Sequence, residues 1–135
     1  MEEKTEIKDE FCSYKTSMLA KEKGFDIYCT DCYETSNEDE NIHIDTYTGL
    51  TGCEDWTFDC YRPTQSLLQR WLREKHKMIV IPFPIDSYDY WNFKLLIPDI
   101  MSPFFEQIPI VPEEYKSYEE ALEAGMYYVL SKYII

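Results

Sequence analysis

Cysteine and histidine are the residues of this chain best suited to chemistry. Cys29 and Cys32 form a Cys-x-x-Cys pair, and Cys53 and Cys60 follow, with His43 between the two pairs. Two thiolates at that spacing can grip one metal ion from a turn, so Cys29, Cys32, Cys53 and Cys60 are candidate zinc ligands. The second pair is seven residues apart, unlike the tight second knuckle of a zinc ribbon. The competing reading is that these thiols, with Cys12, are small apolar residues kept reduced and buried. A redox role has less support, because redox pairs open a helix and this one precedes the acidic run Glu38-Asp39-Glu40.

Only two histidines are present, His43 and His76. His76 falls at the end of a basic helical segment, where a cation complements the helix dipole without any catalytic duty. His43 and Cys53 have no spacing that obliges them to meet as a nucleophile pair. No phosphate-binding loop, dinucleotide fingerprint or metalloprotease helix occurs. These observations favour a binding protein over an enzyme, with no cofactor required and zinc the single metal worth testing.

Charge carries the strongest remaining signal. The 135 residues hold 26 acidic and 13 basic side chains, a net charge of -13. Between Phe25 and Tyr61 there are ten acidic residues and no Lys or Arg, whereas Arg62 to Lys77 holds five basic residues and one acidic, Glu74. Such acidity disfavours direct binding to a nucleic-acid polymer or an anionic membrane surface. It suits docking on a basic protein groove, with Glu38, Asp39 and Glu40 steering and Tyr33, Tyr47 and Trp56 as aromatic anchors. The alternative uses Arg70, Arg73 and Lys77 as a stripe for a nucleotide or another small anionic molecule. A plainer reading lets these cations neutralise the acidic section inside the fold.

The elements that must position these groups follow from periodicity. Residues 1–8 read as an acidic tail and 9–135 as one α+β domain, with a small antiparallel sheet packed by about three helices. A first helix is expected over Asp9 to Lys23, stopped by Gly24. IHIDTY (42–47), after the polar NEDEN, and DWTFDCY (55–61), after the glycine turn TGLTG, read as short strands of a hairpin or meander. Pro63 fits the first turn of a second helix, in which Leu67, Leu68, Trp71 and Leu72 recur at helical spacing with Arg70, Arg73 and Lys77 opposite. MIVIPFPI (78–85) and YWNFKLLI (90–97) read as two strands, Pro82 and Pro84 suggesting an edge or a bulge in the first, and 98–114 reads as irregular. Ser117 and Glu120 form a capping box for a last helix whose Ala121, Leu122, Gly125, Met126 and Val129 share one face. Tyr127 and Tyr128 sit off that stripe and suit either a second copy of the chain or internal packing. The start MEEKTEIKDE has no signal-peptide pattern and no apolar run could span a bilayer, so a cytoplasmic location is expected.

Three blocks, KEKGFD, YRPTQSLLQRWLREKH and YKSYEEALEAGMYYVLSKYI, in this order and spacing, resemble a family of uncharacterised small proteins from phages, prophages and mobile elements of gut Bacteroides-type bacteria. The resemblance covers roughly Tyr14 to Tyr133. It implies a compact α+β domain with the two later helices against a small sheet, and no particular chemistry. An accessory protein of that kind is expected to bind a host protein in the bacterial cytoplasm, one that handles nucleic acid or serves defence.

Overall fold

The computed structural model describes residues 8–35, 41–46, 58–85, 89–97 and 114–134, and the backbone alone of 105–107. The fold is α+β. In chain order the elements are α1 (Tyr14–Glu22), β1 (Asp31–Thr35), β2 (Ile42–Thr46), β3 (Cys60–Tyr61), α2 (Gln65–His76), β4 (Ile79–Ile85), β5 (Tyr90–Ile97), β6 (Phe105–Gln107) and α3 (Tyr118–Lys132). They build two antiparallel sheets of three strands each, ordered β2-β1-β3 and β4-β5-β6 among the described residues.

Helix α3 organises the core. Its Ala121, Leu122, Gly125, Met126, Val129 and Leu130 are buried, facing β4 and β5, with α1 and α2 packed against the same helix. Gly125 is required by that closeness: a Cβ there would lie 3.0 Å from the Phe93 ring and closer still to Val80. The Ser117 hydroxyl accepts from the Glu120 N–H at 3.1 Å, as its sequence promises, while the Glu120 carboxylate takes the Lys116 N–H at 3.0 Å. One apolar cluster then runs from Cys12 and Phe25 through Leu68, Trp71 and Leu72 to Val80, Phe93, Leu95 and Met126.

Both N-terminal boundaries shift from the periodicity reading for a physical reason. Residues 10–12 do not coil: Cys12 N–H donates to Pro63 O at 2.9 Å and Gln65 N–H to Glu10 O at 2.8 Å, an extended clasp that holds the two helix starts together. Ser13 and Thr64 then cap α1 and α2, accepting from the N–H groups of Thr16 and Leu67. Helix α1 ends as expected at Gly24, which takes a left-handed φ of 102°, and Phe25 N–H closes on Ala20 O at 2.9 Å in a Schellman motif. Lys77 adopts the same left-handed region at φ 59° to end α2.

The proline-bearing strand β4 does lie at the edge of its sheet, with Pro82 opposite Phe93 and Pro84 opposite Trp91. The segment expected to be irregular contributes one short strand, β6, paired to β5. Of the expected strand 55–61 only Cys60–Tyr61 falls in a described strand, and 51–57 lie outside the described residues. No helix among the described residues is long and apolar enough to cross a membrane.

Candidate functional site

The acidic section folds in part as the small sheet. Strand β1 lies at its centre, and Tyr33, expected as a surface anchor, is only 7 % exposed there. Its ring packs edge-on to Tyr14 at 5.6 Å and its hydroxyl donates to Cys12 O at 2.5 Å. Alternation along β1 turns this residue toward α1, so it holds the sheet to the helix and is withdrawn from the docking surface. Glu38, Asp39, Glu40, Tyr47 and Trp56 lie outside the described residues.

Strand β2 supplies the exposed surface instead. Ile42 and Ile44 are 48 % and 52 % exposed, and their register opposite Thr35 and Tyr33 puts both on one face. His43 and Asp45 point to the other face, where Asp45 sits diagonally across from Glu34. The hydrogen bond that Glu34 makes to Asp45 raises the Glu34 pKa, with burial a lesser cause, because two carboxylates so placed share a proton more readily than either alone. The sheet is joined to α1 by a polar knot: Tyr14 and Thr35 hydroxyls both donate to Asp59 Oδ2, the first at 2.9 Å, and Lys21 Nζ donates to Asp59 O at 2.5 Å. The Thr35 bond is the main reason the Asp59 carboxyl titrates below its ordinary range. Arg62 closes the far end, pairing with Asp31 at 3.1 Å and resting over the Phe11 ring at 3.8 Å.

The basic helix is arranged differently from a three-cation stripe. Arg70 and Arg73 are exposed, as their spacing requires, but Arg70 is paired along the helix with Glu74 at 3.0 Å. Lys77 donates to Glu74 O at 3.0 Å and terminates the helix. Arg70 lines an open groove of about 380 Å³ with Ile27, Leu67, Trp71, Glu74 and Lys75; Arg73 and Lys77 do not. No hydrogen bond or ion pair among the described residues ties these cations to the acidic strands, so they do not neutralise the hairpin there. His76 rests edge-on against Trp71 at 4.8 Å, and burial followed by the neighbouring Lys75 lowers its pKa.

The cysteines are not gathered into a metal site among the described residues, where no cluster of three or more ligating side chains occurs. Cys12, Cys29, Cys32 and Cys60 are buried thiols that form no disulfide. Cys32 pairs with Tyr61 and Tyr33 with Cys60, so Cys32 and Cys60 point to opposite faces of the same ribbon. One ion cannot take both from there. Cys53, the fourth candidate, is outside the described residues. Burial, with Asp59 nearby, pushes the Cys60 thiol up to about 12, and burial raises Cys12 further, with Glu123 and Cys29 adding to it. Both are neutral thiols near pH 7 and poor nucleophiles.

Tyr127 and Tyr128 are engaged inside the chain: Lys15 sits 4.2 Å over the first ring, and the second packs on Phe93 and Tyr133. The sequence signal for the exposed surface was the alternation in Ile42-His43-Ile44-Asp45. It fixed which residues share a face but not that the isoleucine face would stay open. Nothing in the spacing of Tyr14, Thr35 and Asp59 announced their knot. No protein-family model, curated protein or solved structure matches the chain.

Proposed function

We propose that the protein acts by binding a partner protein through the small acidic sheet, and not by catalysis. The observation that carries this reading is β2: among the described residues it is an outer strand in the order β2-β1-β3, with two large apolar side chains about half exposed on one face and Asp45 on the other. An outer strand with exposed alternate side chains can take an extended partner segment, which those side chains then select. Glu34 and Asp45, on the other face of the same two strands, favour a basic partner segment and steer its approach. Glu38, Asp39 and Glu40, which fall between β1 and β2 in the sequence, add three acidic residues to this section. The partner we propose is a bacterial host protein that handles nucleic acid or serves defence, met in the cytoplasm by an accessory protein of a phage or mobile element.

The test uses photo-crosslinking from position 46, on the same face of β2 as Ile42 and Ile44, in host cells, comparing the parent chain with Ile42→Glu/Ile44→Glu. A single crosslinked protein that vanishes in the double variant and weakens with salt supports the reading. Equal crosslinking to both forms removes β2 from the interface. Reversal of Glu38, Asp39 and Glu40 should slow association while leaving dissociation nearly unchanged, because exposed charges act mainly on encounter.

A further inference from the structure

A second hollow, distinct from β2 and from the α2 groove, lies between α1, the turn after it and β3. We propose that it binds a free zwitterionic amino acid with an aromatic or large apolar side chain. Its volume is about 330 Å³, and its walls are Phe25, Phe58, Cys60 and Tyr61. Phe58 and Tyr61 touch at 5.0 Å with their planes tilted by 47°, so together they wall one side of an aromatic slot against which a ring can pack. The Cys60 thiol adds a neutral wall, since burial keeps it protonated.

Two opposite charges line the same hollow. Lys21, on the last turn of α1, is held by its bond to Asp59 O, which occupies one of three ammonium donors. Asp26, just past the Schellman turn, has an exposed carboxylate with neither hydrogen bond nor ion pair among the described residues. The two do not close on each other, although both border one cavity. An α-carboxylate set on Lys21 and an α-ammonium set on Asp26 would bridge them, with the side chain in the aromatic slot. Ser17 also lines the hollow, and its buried hydroxyl has no hydrogen-bond partner among the described residues. Such a group is ordinarily completed by something the protein chain itself does not supply.

Charge selects the zwitterion over simpler ligands. A free anion must approach a chain of net charge -13 and would leave Asp26 beside it. A plain amine would satisfy Asp26 and leave Lys21 unmatched. A zwitterion meets both and bears no net charge.

The deciding experiment is calorimetric titration of the full chain with L-tryptophan, L-tyrosine and L-phenylalanine, beside tryptamine, which lacks the carboxylate, and N-acetyl-L-tryptophan, which lacks the ammonium. We expect one saturable site for at least one amino acid and affinities at least about tenfold lower for both truncated probes. Asp26→Asn should erase the preference over N-acetyl-L-tryptophan. Lys21→Met should erase the preference over tryptamine. Absence of binding by all three amino acids at millimolar concentration, or truncated probes that bind as well as the parent, overturns the proposal. Asp26 is exposed and unbonded, so its variant keeps the fold and the test stands even if Lys21→Met loosens β3.

Discussion

The two sheets are held by different physics. In the β4-β5-β6 sheet the burial of Val80, Phe93, Leu95 and Ile97 against α3 does the work, and the backbone of α3 sits so close that only glycine fits at 125. In the β2-β1-β3 sheet four of the five residues of the outer strand are exposed, and attachment to α1 combines the Tyr33 ring on Tyr14 with hydroxyls, one carboxylate and an ammonium. Apolar burial is cooperative and non-directional; a surface hydrogen-bond knot is neither, and contributes far less. The first sheet is therefore scaffold, and the second is expected to open at a lower free-energy cost.

The largest effects should come from breaking the scaffold. Met126→Ala removes a fully buried side chain and is expected to destabilise the protein by about 2–5 kcal/mol, read from denaturant midpoints. Gly125→Val forces branched atoms into Val80 and Phe93 and should cost about 1–3 kcal/mol or more for the same reason in reverse. If either variant unfolds at the parent's midpoint, the contrast between the sheets is wrong.

A middle-sized effect belongs to the knot. Asp59→Asn should lower stability by about 1 kcal/mol and speed amide exchange in β1 and β3 before β4 and β5. The acid dependence follows from the sign of the shift: Asp59 titrates lower folded than unfolded, so its contribution is full above the unfolded value, near ~3.9, and is lost as pH falls through the folded one. Glu34 works in the opposite sense, since its raised pKa favours the folded chain at low pH and that benefit fades as pH rises. Unfolding followed against pH should show Asp59→Asn with a shallower loss below ~3.9 than the parent. An identical acid limb in the two proteins would show that the carboxylate is not tied as described.

This division also explains what could be read from the chain. The scaffold was legible because its signals are local and agree with one another: the Ser117 cap, the stripe from Ala121 to Val129, the glycine on the packed face, and the prolines that mark β4 as an edge. Hydrophobic periodicity states which face is buried when burial holds the element. The small sheet is fixed by contacts between Tyr14, Thr35 and Asp59, which are 21 to 45 residues apart and leave no periodic trace. The same limit misplaced Tyr33, since an aromatic in an acidic stretch reads as surface until Tyr14 and the Cys12 carbonyl are seen to cover it. The start of α1 was read too early because the clasp between Cys12 and Pro63 is equally non-local.

The smallest effect on stability should accompany the largest on binding. Ile42 and Ile44 are about half exposed, so replacing both by serine removes little buried area, and the unfolding midpoint should move by no more than about 0.5 kcal/mol equivalent. Serine keeps the backbone of β2 competent to pair, so any loss of partner crosslinking in Ile42→Ser/Ile44→Ser is assignable to the two side chains. A variant that folds as the parent does, keeps its amide protection in β1, and no longer crosslinks separates docking from architecture. A variant that loses more than about 1 kcal/mol would instead place Ile42 and Ile44 in a packed interior, and the small sheet would then be scaffold like its neighbour.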